Sequence, residues 1–173
     1  AVVEYMIGEC KKDKLELTTF NPVICECNDS YLNDISLRAV KKKHVFEAIK
    51  DAKVDFLEGD VGAGKGMSCH QLKGGIGSAS RIIEIDEKEY TIGVIVLSNH
   101  GLLKDFTIDG MKIGKEIAKE LDIQTQVDKG SIISVVATDL PLSSRQLKRI
   151  CKRTGVGLAR LGSYIGHGSG EII

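Results

Sequence analysis

Residues 129–139 read KGSIISVVATD: a lysine, a glycine and a serine, then an almost unbroken apolar run rich in β-branched side chains. Strands buried on both faces read this way, because neither face has to present polar groups to water. The stretch predicts a strand that opens at Ser131, directly behind Gly130. TIGVIVLS at 91–98 has the same character, and RIIEID at 81–86 is a shorter third candidate. Around these strands the apolar period lengthens to that of a helix. Val40, Val45, Ala48, Ile49 and Ala52 fall near one stripe of 40–52, while Ile113, Ile117, Ala118 and Leu121 follow Asp109, which is placed to cap a second helix. Ser143 or Ser144 caps a third, whose apolar face runs from Leu147 through Ile150 and Cys151 to Leu158 and Leu161. Gly155 and Gly157 interrupt it, each at a cost of about 1 kcal/mol relative to alanine. Strands and helices so interspersed, with two prolines and no internal repeat, predict one layered domain over 1–173, α/β in the α+β sense.

Composition narrows the function classes. Of 173 residues, 42% are hydrophobic and 28% charged, which is ordinary globular usage and not that of a disordered or fibrous chain. Twenty-four basic side chains balance 24 acidic ones, so no electrostatic footprint for nucleic acid is present. Five cysteines, an odd number at irregular spacings, read as free thiols in a reducing compartment, the cytoplasm. No apolar run approaches the ~20 residues that span a bilayer, and no membrane partner is expected. The chain opens on AVVEYMIGEC, as if in mid-helix, and stops on GSGEII, as if in mid-strand, so both ends read as cut.

Three patterns invite a cofactor and fall short. GDVGAGKG at 59–66 nearly matches the phosphate loop GxxxxGK[ST], but Gly66 stands where the magnesium-binding hydroxyl belongs and no apolar strand leads in. The alternative is a glycine-rich loop folded closely against neighbouring backbone. Cys10, Cys25, Cys27 and Cys69 show none of the paired spacings of a structural zinc site, so neither metal nor cofactor is expected. His44 and His70 read as local hydrogen-bonding residues. The whole stretch 59–80, GDVGAGKGMSCHQLKGGIGSAS, is nonetheless too long for a simple connector, and such loops are commonly functional.

The pair Gly130–Ser131 opens a strand as glycine followed by serine opens many, and it has a chemical reading besides. Glycine can adopt backbone angles that other residues avoid, and the serine hydroxyl can attack the carbonyl that precedes it. Cleavage there exposes a new α-amine, whose reference pKa near ~8 suits it to act as general base for its own hydroxyl.

Five segments, CECNDSYLND (25–34), HVFEAI (44–49), EGDVGAGKGMSCHQLKGGIGSASR (58–81), GSIISVVATDLPLSSRQLKR (130–149) and GHGSGE (166–171), resemble in order the DmpA-like family. That family comprises self-processing L-aminopeptidase/D-esterases, D-aminopeptidases and β-peptidyl aminopeptidases. The resemblance implies an αββα sandwich like that of Ntn hydrolases, with autocleavage between Gly130 and Ser131 into an α and a β chain. It implies Ser131 as nucleophile, Asn99 as an oxyanion donor through its side-chain N–H, Tyr31 as a phenolic hydroxyl in the site, and Ser169 and Glu171 as aids to proton transfer. It further implies that the backbone N–H of Gly170 completes the oxyanion hole and that Glu26 or Asp29 holds the substrate ammonium group. The implied partners are short peptides, amino-acid amides or esters, and further copies of the processed protomer in a homo-oligomer. Two departures stand out: family members extend beyond both ends of this chain, and His100 follows Asn99 where the family favours an aromatic residue. Acyl transfer to an amine, as in ornithine acetyltransferase, competes with hydrolysis, and a degenerate non-enzymatic fragment is the third reading.

Overall fold

The computed structural model describes residues 1–124, 127–166 and 171–172. The chain falls into two compact units, Ala1–Cys25 with Asp34–Leu57, and Glu26–Asn33 with Glu58–Ile173. In the first unit, α1 (Val2–Lys12) packs on α2 (Lys42–Lys50). Tyr5 and Phe46 meet with ring centroids 6.1 Å apart, and Lys42 lies 5.5 Å over the Phe46 ring while pairing with Glu4. His44 does the local work expected of it: its Nδ1 accepts the Lys41 backbone N–H at 2.9 Å at the start of α2.

The second unit is built on a sheet. Its glycine-rich stretch is more ordered than the sequence suggests. A single 3-10 turn (Gly62–Gly66) leads into a hairpin of β1 (Ser68–Cys69) and β2 (Leu72–Lys73). The hairpin turns through His70 and Gln71, at φ 50° and 59°. β3 (Gly75–Ile85) then starts six residues ahead of the apolar run, because GIGSAS is small and polar enough to hide a strand. The alternative reading of the near-miss phosphate loop is the one realised. A Cβ at Gly64 or Gly75 would lie 2.2 or 2.3 Å from the Gly59 carbonyl oxygen, and no α-helix follows to aim its N-terminus at an anion.

β3 turns at Asp86 and Glu87, both at positive φ, into β4 (Lys88–Asn99). Two consecutive residues at positive φ make the tight turn whose twist suits a hairpin. Asp109 does not cap the next helix. It sits at φ 48° beside Gly110 at φ 81°, in a turn bridged from Ile108 to Met111, and α3 (Gly114–Glu120) is preceded by Ile113. Asp-Gly is turn chemistry, and it outweighs the capping tendency of the aspartate. β5 (Ser131–Thr138) begins at the serine, as read from the sequence. Ser143 caps α4 (Ser144–Arg160) in a reciprocal box with Gln146, and the helix runs through both glycines. Last comes β6 (Glu171–Ile172).

The sheet order is β3-β4-β5-β6, antiparallel but for the parallel pair of β5 with β6. Ile76, Leu97 and Ile133 lie in one cross-strand row and pack with Met67 and Cys27 as the core. That core covers one end of one face. Farther along the same face, Ile95 and Val135, which are register partners, are 37% and 55% exposed. The expectation that both long strands are buried on both faces therefore fails within this chain on the face that carries Leu97, while Ile132 and Ser134 are buried on the other.

Candidate active site

The site forms where β4 and β5 end together. Asn99 and Ser131 are register partners, so their side chains leave the sheet on the same face. Asn99 is buried, and its amide is clamped from two sides: Oδ1 accepts the Ser68 N–H at 2.9 Å and Nδ2 donates to the Asn28 carbonyl at 3.0 Å. A backbone donor on one side and a backbone acceptor on the other assign the oxygen and nitrogen. One Nδ2–H is left over.

Gly130 leads into Ser131 under tight constraint. Its φ is not positive, which corrects the expectation of strained backbone angles. The glycine is required by crowding, since a Cβ there would lie 2.2 Å from the Asn99 carbonyl oxygen and 2.5 Å from His100 Cα. Asp128 holds the approach, its Oδ1 accepting the N–H of Gly130 at 3.0 Å and that of Gly101 at 3.3 Å. Sequence reasoning passed over this aspartate, although Asp-x-Gly before a strand is a recognisable side-chain-to-backbone turn.

A cavity of about 760 Å³ opens beside these residues, lined among others by Asn28, Tyr31, Ser68, Asn99, Asp128 and Gly130. Tyr31, at 69% exposure, faces solvent as well as the cavity and is not a packed core residue. Half-buried Ser131 is one residue beyond the cavity-lining Gly130. Neither carboxylate considered for the substrate ammonium borders this space: Glu26 is exposed, and Asp29 accepts the Asn33 amide at 2.8 Å against Gly66. Ser169 and Gly170 lie outside the described residues; residue 171 opens β6 in register with Ile132, the neighbour of Ser131.

Next to Asn99 is a group the sequence spacing does not reveal. One ligating atom from each of Cys69, His70 and His100 lies within 4.8 Å of the others. The Cys69 Sγ is 3.8 Å from His100 Nδ1, and the His70 backbone N–H bonds the His100 carbonyl at 2.7 Å. His70 Nδ1 is 3.2 Å from the Leu102 carbonyl, the local bond expected of it, but its Nε2 is buried with no hydrogen-bond partner. Burial pushes the Cys69 thiol up and both imidazoles down, with each of the three also feeling Asp128 and His100 feeling His70. His100 thus occupies an aromatic niche, edge-on to His70 at 5.3 Å, while His70 stacks on Phe106 at 4.6 Å.

Comparison with known proteins agrees with this architecture. The model of peptidase family S58 matches residues 1–173. The β-peptidyl aminopeptidase BapA of Sphingosinicella xenopeptidilytica is 37% identical over 183 residues, covering 99% of this chain and 45% of that protein. A solved structure from Pyrococcus horikoshii OT3 matches with TM-score 0.85 and 51% identity, over 98% of this chain and 46% of that one. The L-aminopeptidase D-Ala-esterase/amidase of Ochrobactrum anthropi, described as a new variant among the Ntn hydrolase fold, matches with TM-score 0.84 and 34% identity over the same shares. The chain spans less than half the length of each of these relatives. Its α+β arrangement is that of the Ntn-hydrolase variant, and the chain belongs to peptidase family S58.

Proposed function

We propose that the intact protein is a self-processing serine aminopeptidase with Ser131 as its nucleophile. The observation that carries this reading is the β4–β5 register, in which Asn99 stands directly across from Ser131 while Gly130 is wedged against the Asn99 backbone. In processing, the Ser131 Oγ attacks the Gly130 carbonyl, the peptide nitrogen leaves as the Ser131 α-amine, and water hydrolyses the resulting ester. The released amine then takes the proton of its own hydroxyl when that hydroxyl attacks a substrate carbonyl. Charge develops on the substrate oxygen, where the uncommitted N–H of Asn99 is the proposed donor, joined by the backbone N–H of Gly170. Tyr31 supplies a hydroxyl at the cavity wall, and Ser169 and Glu171 assist proton transfer by likeness to the family pattern. Glu26 or Asp29 is the proposed holder of the substrate ammonium group by likeness to the family pattern, although neither is among the residues that line the cavity.

The proposed substrates are short peptides and amino-acid amides or esters, in keeping with relatives named as a β-peptidyl aminopeptidase and an L-aminopeptidase D-Ala-esterase/amidase. We further assign the protein to the cytoplasm as a homo-oligomer of processed αβ protomers; among the described residues no helix is long and apolar enough to cross a membrane. The test is the mass of the intact protein under denaturing conditions together with sequencing of new termini. Two polypeptides, one beginning SIISVV, support the reading. An active preparation whose chains are all still joined at Gly130–Ser131 removes it.

A further inference from the structure

We propose that Cys69, His70 and His100 form a binding site for a divalent transition-metal ion of the zinc class. Three observations carry it. The first is geometric: at tetrahedral zinc, with Zn–S of about 2.3 Å and Zn–N of about 2.0 Å, sulfur and nitrogen ligands stand roughly 3.5 Å apart. Cys69 Sγ and His100 Nδ1 are already at 3.8 Å, and all three residues offer atoms within 4.8 Å, so closure needs ligand separations to shorten by at most about 1.5 Å.

The second is the unpartnered nitrogen. His70 is 2% exposed, and its Nε2 has no hydrogen-bond partner while Nδ1 faces the Leu102 carbonyl. A ligating histidine characteristically gives its other ring N–H to a carbonyl, which fixes the tautomer and leaves the lone pair toward the metal. A buried lone pair without a partner is costly, and an ion at this point removes that cost. The third is access. His100 and Gln71 line the cavity, giving an ion a path in and leaving a fourth coordination position for water. The mixed thiolate and imidazole set selects zinc over magnesium or calcium, which take oxygen ligands.

Binding deprotonates the Cys69 thiol: the Sγ–H bond is lost, the S–metal bond forms, and the proton passes to solvent. The imidazoles enter neutral, the form their burial already favours. The bound ion would tie β1 to the end of β4, on either side of the Ser68–Asn99 hydrogen bond.

The probe is Zn2+ alone, titrated calorimetrically into the intact, metal-stripped protein in two buffers of different ionisation enthalpy, with Co2+ as the spectroscopic substitute. One ion per chain is expected, with about one proton released and a thiolate-to-cobalt charge-transfer band in the near ultraviolet. Cys69→Ser should abolish the band and weaken Zn2+ on the order of 100-fold or more, beyond the range seen when only an outer-sphere partner is lost. His70→Gln should weaken binding comparably; should it fail to fold, the Cys69→Ser comparison, with circular dichroism confirming its fold, decides alone. Absence of stoichiometric binding, a band that survives in Cys69→Ser, or a loss of affinity under tenfold overturns the site.

Discussion

Gly130→Ala is the sharpest perturbation the site offers. A methyl group there meets the Asn99 carbonyl oxygen at 2.2 Å and His100 Cα at 2.5 Å, both backbone atoms of β4 that cannot rotate away. Restoring the 3.4 Å of ordinary contact moves the start of β5 by about 1.2 Å relative to β4. Overpacking on this scale costs about 1–3 kcal/mol of stability. The effect on processing should be larger than stability alone implies, because a displacement of about 1 Å between reacting groups can lower a rate about 100-fold. The assay is the fraction of cleaved chain against time, by denaturing mass spectrometry of freshly refolded intact protein, with thermal unfolding measured in parallel. Gly77→Ala is the control in the same sheet, since its added Cβ meets only Val96 Cγ2 at 3.5 Å, and it should process and unfold as the wild type does. If Gly130→Ala folds and cleaves itself at the wild-type rate, the argument that this close approach aligns the bond for attack is wrong.

Three further outcomes are expected. Asn99→Ala, once processed, should lose turnover by on the order of 100-fold with little change in KM, and a wild-type kcat would remove its oxyanion role. The same substitution leaves the Ser68 N–H and the Asn28 carbonyl unpaired, so unfolding should become easier by about 1–3 kcal/mol for each group that water does not reach. Ser131→Ala should abolish both self-cleavage and release of p-nitroaniline from aminoacyl anilides; retention of either activity contradicts the single-nucleophile scheme. Mg-ATP titrated into the intact protein should give no saturable heat, and exposed Lys65 should be replaceable by alanine without loss of aminopeptidase activity.

The parts of the fold that were legible share a physical cause. β4 and β5 announced themselves because unbroken β-branched runs have few other uses, and Ser143 with Gln146 advertised the start of α4 by a capping pattern that is wholly local. Asp109 misled because one side chain serves both caps and tight turns, and the Gly110 beside it decides between them. The first half of β3 was hidden because Gly75 to Ser80 takes its strand character from pairing with β4, not from its own side chains. At the site, Asn99 and Ser131 were found by family pattern, whereas their placement opposite one another depends on register, which no spacing reports. Cys69, His70 and His100 were invisible for the same reason: a hairpin and a long-range backbone bond bring together residues 31 positions apart.

Register is also what makes the proposed chemistry fragile and specific. A slip of one residue in β4–β5 pairing would send Ser131 to the opposite face from Asn99 and replace Leu97 in the core row by a neighbour of opposite facing. Burial of Leu97, Ile133 and Ile76 on one face therefore selects the same register that aligns serine and asparagine. The clamp on Asn99 adds a second lock. Its Oδ1 needs the Ser68 N–H and its Nδ2 the Asn28 carbonyl, so displacement of either segment strands a buried polar group. Fold and site are thus selected by common contacts. A substitution that loosens the end of the sheet, such as Leu97→Ala at about 2–5 kcal/mol, should slow processing although it touches neither reacting residue. Equal processing rates in Leu97→Ala and wild type, at a temperature where both are folded, would separate the two and show that Ser131 alignment does not depend on the core beneath it.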